Sequence, residues 1–292
     1  MREDIFGEYY SSAYQRARSN DKLTKSLAMS ESAGADLGHP DYTALQVGDM
    51  VEGQGVIFFL DIRGFTKLSI ALPNQELVAI LQALTEASVR LIHHFKGHVI
   101  EFTGDGVMAA FGDAQSSPEA GALAALQTTA ALMVGVRDRV NPQLEELGTE
   151  TVRTAVGMEF GKVLWSRIGI GSTTQVKPIS DVTFLAGKLC TSKFTGAWES
   201  KVGAGLAAWI PDEFKQRARK YEFTLNNKNY SRDLFLFKWE EFLGTLERQP
   251  GLLTKILLER KLVPTTLTAA RMVEPAASPG QQPRVLKDQP FF

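Results

Sequence analysis

Cysteine is almost missing from this chain: Cys190 stands alone among 292 residues, so no internal disulfide framework can hold the fold, and a reducing compartment is the simplest setting. An excess of either charge is missing too, with 32 Lys plus Arg against 33 Asp plus Glu and a net charge of −1. That balance leaves no basic footprint for nucleic acid or an anionic membrane surface, and neither is expected as a partner. Long apolar runs are also lacking. No window reaches the roughly 18 uninterrupted apolar residues of a spanning helix, and the start, Met1-Arg2-Glu3-Asp4, is charged, so neither a signal peptide nor an anchor is expected. The expected location is the cytoplasm. What is present is 44% hydrophobic content in an enzyme-sized chain, enough for a substantial core.

Periodicity divides the chain into three parts. Residues 1–50 predict a helix from Ile5 to Lys25, with Phe6, Tyr9, Tyr10 and Tyr14 on one face that packs on its own domain or on a partner protomer, then a Ser/Gly/Ala-rich connector to Pro40. Residues 51–240 alternate strand and helix patterns: a strand at Val56–Leu60, a helix at Gln75–Phe95, a hairpin of Val99–Phe102 with Val107–Phe111, and a helix at Pro118–Val140. A second hairpin, Val152–Met158 with Val163–Ile170, is expected to pivot on Gly161. The order βαββαββ predicts an α+β fold with helices packed on one mostly antiparallel sheet. Residues 241–292 hold six of the twelve prolines and read as a short helix at Leu252–Lys261 followed by a docking arm or disordered tail.

Two aspartates carry most of the chemical signal. Asp61 follows the apolar run Phe58-Phe59-Leu60, and Asp105 lies 44 residues later in Thr103-Gly104-Asp105-Gly106. A tight Asp-Gly turn would put Asp105 at a hairpin tip, and a neighbouring first strand would bring Asp61 to the same end of the sheet. Their carboxylates and the backbone carbonyl of Ile62 are hard oxygen ligands suited to Mg²⁺ or Mn²⁺ beside a triphosphate. Two such ions could activate a ribose hydroxyl and neutralise a pyrophosphate leaving group. Each aspartate alone also has a structural reading, as a hairpin turn or a helix cap.

The surroundings of both resemble one family. Phe59-Leu60-Asp61-Ile62-Arg63-Gly64-Phe65-Thr66 resembles the opening strand of the class III nucleotide cyclase catalytic domain. Gly97 through Phe111 resembles that family's metal hairpin, and Ala155 through Val163, then Ile168 through Ser172, its central hairpin; Asp181 through Leu189 falls where its dimerisation helix begins. The resemblance covers about residues 50–240. It implies a ferredoxin-like βαββαβ core acting as a head-to-tail homodimer, with two composite sites at the interface. Asp61, Ile62 and Asp105 would then come from one protomer, and base-reading and transition-state residues from the other. Phe65 and Thr66, closing the first motif, are carried over as nucleotide-binding positions, as is Lys228, near the family's triphosphate-binding lysine.

Departures from the family pattern bear on the base. Where the family places an Asn and an Arg on the dimerisation helix, this chain has Phe184 and Lys188. Lys188 keeps a cation without the bidentate fork of arginine, and Phe184 cannot donate to a ribose oxygen, leaving Thr183 as one possible substitute. The base-reading positions map to Glu101 and Lys177. A carboxylate with an ammonium complements uracil through N3–H and O4, guanine through N1–H and O6, or cytosine with the roles exchanged, so hydrogen bonding alone does not choose. Phe184 and the Lys177-Pro178 pair favour a smaller pocket than a purine needs. This blend is similar to the bacterial pyrimidine cyclases of Pycsar anti-phage systems. That resemblance implies a UTP or CTP substrate and a cyclic nucleotide that signals to a separate effector protein; the Glu101 and Lys177 pairing favours UTP, with CTP next. A purine cyclase making cyclic AMP or cyclic GMP, and an inactive nucleotide-binding or dimerisation module, are the alternatives. Arg63, Lys67 and Lys96 read as solvated cations, His93, His94 and His98 as surface or helix-end residues, and Cys190 as a buried helix residue.

Overall fold

The apolar run Val56–Leu60 lies inside a longer strand that pairs antiparallel on both sides, so neither of its edges is left open. The computed structural model describes residues 4–18, 37–114, 116–192, 199–225 and 228–248. In chain order these form α1 (Ile5–Arg18), β1 (Met50–Arg63), α2 (Phe65–Ala71), α3 (Asn74–His94), β2 (Gly97–Phe102), β3 (Val107–Phe111) and α4 (Pro118–Gly135). A π-helical turn, Val136–Val140, leads into α5 (Asn141–Glu146), and then come β4 (Arg153–Ile170), β5 (Thr173–Ile179) and α6 (Asp181–Thr191). The last group is β6 (Glu199–Gly203), α7 (Ala204–Ala207), β7 (Lys215–Leu225), β8 (Lys228–Phe237) and α8 (Trp239–Arg248). The strands form one sheet in the order β2-β3-β1-β4-β6-β8-β7, with β5 also paired to β4; β4–β6 is the parallel pair. The architecture is thus the expected α+β one, a mostly antiparallel sheet with packed helices.

Alternation along β1 decides what lies on each face. Val56, Phe58, Leu60 and Ile62 enter the main core with residues of α3 and α4, while Ile57 and Phe59 join a smaller cluster with Trp165, Val182 and Ala186 on the other face. By the same alternation Asp61 lies on the Phe59 face, the one α6 covers. α4 is apolar on all sides, as a helix enclosed by other elements must be. The stretch Pro118–Glu146 is long and apolar enough to cross a membrane, yet 67% of its most apolar window is buried here, as in the core helix of a globular domain.

The aromatic face of α1 packs on its own domain. Phe6, Tyr10 and Tyr14 are buried, and Gly135 leaves the space that the Phe6 ring fills. Tyr14 donates to Glu76 on α3, and Glu86 joins Arg16 of α1 to Arg90. Residues 19–25 of the expected helix, the connector up to residue 36 and the expected helix at Leu252–Lys261 lie outside the described residues. At the other end α8 buries Phe242 and Trp239 in the main core, so core residues continue past position 240.

One expected hairpin does not form. Residues 153–170 are a single strand, with Gly161 paired to Gly55 in mid-strand. Gly161 is small because α6 approaches: an added Cβ would stand 2.8 Å from Val182 Cγ2. The chain turns ten residues later, at Gly171 (φ +56°), into β5. β4 and β5 so form a two-stranded ribbon that carries Lys177 on its return strand.

A buried acid joins β4 to α7. Glu159 accepts from the N–H of Phe160 (2.8 Å) and of Leu206 (2.9 Å), and Gly203 and Gly205 leave the space its carboxyl occupies. Burial pushes its pKa up from 4.5 to about 7, against the lowering effect of the backbone donors and with a small upward push from Asp181. The folded state therefore holds an extra proton between pH 4.5 and about 7, and stability falls as pH rises through that window. Glu159→Gln is expected to flatten this slope in thermal melts taken from pH 5 to 8, whereas an unchanged slope would place the titration elsewhere.

Candidate active site

The site is built where β1, β3 and the β2–β3 turn meet. β1 and β3 pair up to Leu60↔Val107, so one further step puts Asp61 across from Gly106, beside Asp105. The N–H of Thr103 donates to the carbonyl of Gly106 at 3.0 Å, and Gly104 has φ +82°. Gly104 and Asp105 thus lie between the facing residues Thr103 and Gly106, with glycine where φ is positive; the expected Asp-Gly pair is shifted by one residue. Gly106 has a different duty. Any Cβ there would collide with the Leu60 carbonyl oxygen, so glycine is what lets the turn close onto β1.

The electrostatics follow from this closeness. Asp105 is half-buried and its pKa is raised, first by burial and then by the negative charge of Asp61, with a backbone hydrogen bond opposing the shift. Two carboxylates therefore face a shared space in which the charge of Asp61 disfavours ionisation of Asp105. A divalent cation relieves that repulsion, and an all-oxygen donor set suits Mg²⁺ or Mn²⁺. Ile62 is buried in the core through its side chain, so only its backbone can serve the site. These residues fit the implied ions.

The two base-reading positions come together within one chain. Lys177 Nζ lies 2.5 Å from Glu101 Oε2, both partly exposed. A bulge in β2 between Val99 and Glu101 and a hydrogen bond from Gln175 Nε2 to the Ile100 carbonyl (2.8 Å) bring β5 over β2. Pro178, which interrupts the strand pattern, pairs with Trp165 in β5 without displacing Lys177.

α6 holds the remaining candidates. Ser180 caps it by accepting from the Thr183 N–H (3.2 Å), and the Thr183 hydroxyl lies 3.2 Å from Ser180 Oγ. Thr183 is buried in that cap and does not stand where Phe184 does. Phe184, 71% exposed, and Lys188, exposed one turn later, form an outward stripe. Lys228 is exposed at the start of β8, opposite Leu225 on the far hairpin of the sheet, and is not brought to Asp61 within the chain. Phe65 is half-buried and Thr66 exposed at the start of α2, while Lys67 pairs with Glu150 at 2.8 Å. Cys190 is buried, and burial raises its thiol pKa to about 12. Among the described residues no group of three or more His, Cys, Asp or Glu side chains forms a metal cluster; His93 and His94 lie in the last turn of α3, whereas His98 is half-buried on β2 against the ring of His39.

Two cations near Asp61 have roles that the sequence reasoning did not anticipate. Arg63, expected as a solvated cation, donates Nη2 to the carbonyls of Cys190 (2.9 Å) and Ser192 (3.0 Å). Lys201, on β6, is 0% exposed and donates to the carbonyls of Leu189 (2.9 Å) and Ser192. Arg63 was legible only as a neighbour of the Asp61 motif, and Lys201 had no signal, since a lysine in a strand reads as surface.

Residues 51–177 match the family described as the Adenylate and Guanylate cyclase catalytic domain, so this stretch of the chain is similar to the catalytic domain of the class III nucleotide cyclases. It is 26% identical over 183 residues to a cytidylate cyclase of Escherichia coli, a match covering 60% of this chain and 40% of that protein. It is 27% identical over 164 residues to a uridylate cyclase of Rhodovulum sp. (strain MB263), covering 54% of this chain and 65% of the relative. The chain thus spans less than two thirds of either relative. Among solved structures, the adenylyl cyclase CyaB from P. aeruginosa superposes with a TM-score of 0.57 at 20% identity, covering 65% of this chain and 95% of that one, a likeness of fold.

The close approach at the turn yields a direct test. Gly106→Ala is expected to lower the melting temperature by several degrees, reflecting about 1–3 kcal/mol, while Gly104→Ala, strained only by its φ of +82°, costs about 1 kcal/mol. Equal small effects would mean that the turn does not rest on β1.

Proposed function

We propose that this chain is a metal-dependent pyrimidine nucleotide cyclase, converting UTP, or next CTP, to the 3′,5′-cyclic nucleotide and pyrophosphate. The Glu101–Lys177 pair carries the reading: it offers one acceptor and one cationic donor side by side, four residues along the chain from Asp105. Uracil would replace the internal ion pair with N3–H to Glu101 and O4 from Lys177. Guanine offers the same edge, and two features favour a pyrimidine: the bulk of Phe184, brought in from a second copy, and the names of the relatives.

Bound Mg²⁺ or Mn²⁺, two ions by the family resemblance, would supply Lewis acidity and charge neutralisation. Asp61, Asp105 and the Ile62 carbonyl would hold them. The chain's own residues then act by placement: Glu101 and Lys177 fix the base, one of the two aspartates helps to remove the proton of the ribose 3′-oxygen, and Lys188 faces the charge developing on the α-phosphate. The 3′-oxygen displaces pyrophosphate in one intramolecular step, in which positioning dominates. Lys188 and Phe184 stand on an exposed stripe, which suits delivery to a second copy. The reading is therefore a homodimer with shared sites, with Lys228, Phe65 and Thr66 toward the phosphates. Its product would serve as an anti-phage signal read by a separate effector.

Incubation with all four nucleoside triphosphates and Mn²⁺, with chromatographic separation of products, tests this directly. A cyclic pyrimidine nucleotide is expected, with UTP ahead of CTP, and Asp61→Ala or Asp105→Ala should remove it without loss of fold. Cyclic AMP or cyclic GMP as the main product would overturn the base assignment, and no product at all would favour a binding module.

A further inference from the structure

Arg63 and Lys201 converge on one end of one helix. Their acceptors, the carbonyls of Leu189, Cys190 and Ser192, belong to the last turn of α6 and its cap, where a helix lacks internal donors and carries partial negative charge. A buried ammonium is a costly way to satisfy carbonyls, because its charge must leave water. In return it grips harder than a neutral donor, through charge-assisted hydrogen bonds. The rest of α6 is fixed as closely. At Gly157 any Cβ would collide with the Ala186 oxygen and the Cys190 nitrogen, so the helix backbone rests on β4, and the Phe59 ring lies 3.6 Å from where a Gly187 Cβ would stand. Phe59, Asp61 and Arg63 alternate along one strand, so the strand that presents the metal-facing carboxylate also holds the helix that presents Phe184 and Lys188.

We propose that Arg63 and Lys201 are positioning residues that set the placement of α6 against β1 and thereby the reach of Lys188. This rests on the cyclase reading above, in which α6 of one protomer completes the site of its partner. Arg63 then ties the metal strand of one site to the helix that serves the other.

Single variants give the first readout. Arg63→Ala, and Lys201→Met, which keeps the length of the stem, should lower kcat about 10-fold or more while KM changes less than about twofold. Arg63→Lys should recover part of the loss. A lowered melting temperature with kcat unchanged per folded protein would make both residues purely structural and overturn the proposal.

Mixed dimers, purified through two different tags, give the second. Asp61→Ala with Lys188→Ala leaves one site built from two intact halves and should regain activity. In that background, Arg63→Ala on the Lys188→Ala chain should be tolerated, because the working site takes α6 from the other chain. On the Asp61→Ala chain it should lower the recovered activity by the same factor of about 10 or more. The reverse pattern, or equal effects from both placements, overturns the proposal alone. No recovery in the parent mixture overturns the shared-site reading and the proposal with it.

Discussion

Asp61 and Asp105 repel each other across a partly buried space, and the surrounding structure forces them to stay there. Burial and the neighbouring charge both raise the pKa of Asp105, so the pair is held at an electrostatic cost that packing elsewhere offsets. Three features maintain it. β1 is locked between β3 and β4, Gly106 brings the turn against Leu60, and Gly104 supplies the positive φ that aims the turn. A fold that holds two like charges together in this way is suited to a cation.

The sheet carries the candidate residues on separate strands of one layer. β2 carries Glu101, β5 returns Lys177 to it, and β1 carries Asp61 on the face that α6 covers. These residues are far apart in the chain yet reach one region through an antiparallel register and one bulge. Phe184 and Lys188 point away from it into solvent, which is why a second copy enters the account.

Much of this was legible from residues alone where the signal is local. Apolar runs and helical periods located β1, α3, the β2–β3 hairpin and α4, and one aspartate closing the first run with another in the hairpin turn marked the end where Asp61 and Asp105 meet. Legibility failed where a glycine had two possible causes. Gly161 reads as a turn but clears space for α6, and Gly106 reads as a turn partner but clears space for the Leu60 carbonyl. Both are contacts between segments remote in sequence, which no local pattern encodes. Lys201 and Glu159 were invisible for a related reason. A charged residue in a strand is ordinarily solvated, and only the assembled fold shows carbonyls or amides waiting for it. The Glu101–Lys177 meeting was legible only through the family resemblance, since the two are 76 residues apart.

The central claim is that the paired aspartates are a divalent-cation site. Titration of Mn²⁺ followed by electron paramagnetic resonance, on the protein alone and on Asp61→Asn and Asp105→Asn, tests it without any turnover. Saturable Mn²⁺ uptake by the unaltered chain, competed by Mg²⁺ and lost in either variant, is the result this account predicts. Mn²⁺ uptake that survives in both variants would contradict it.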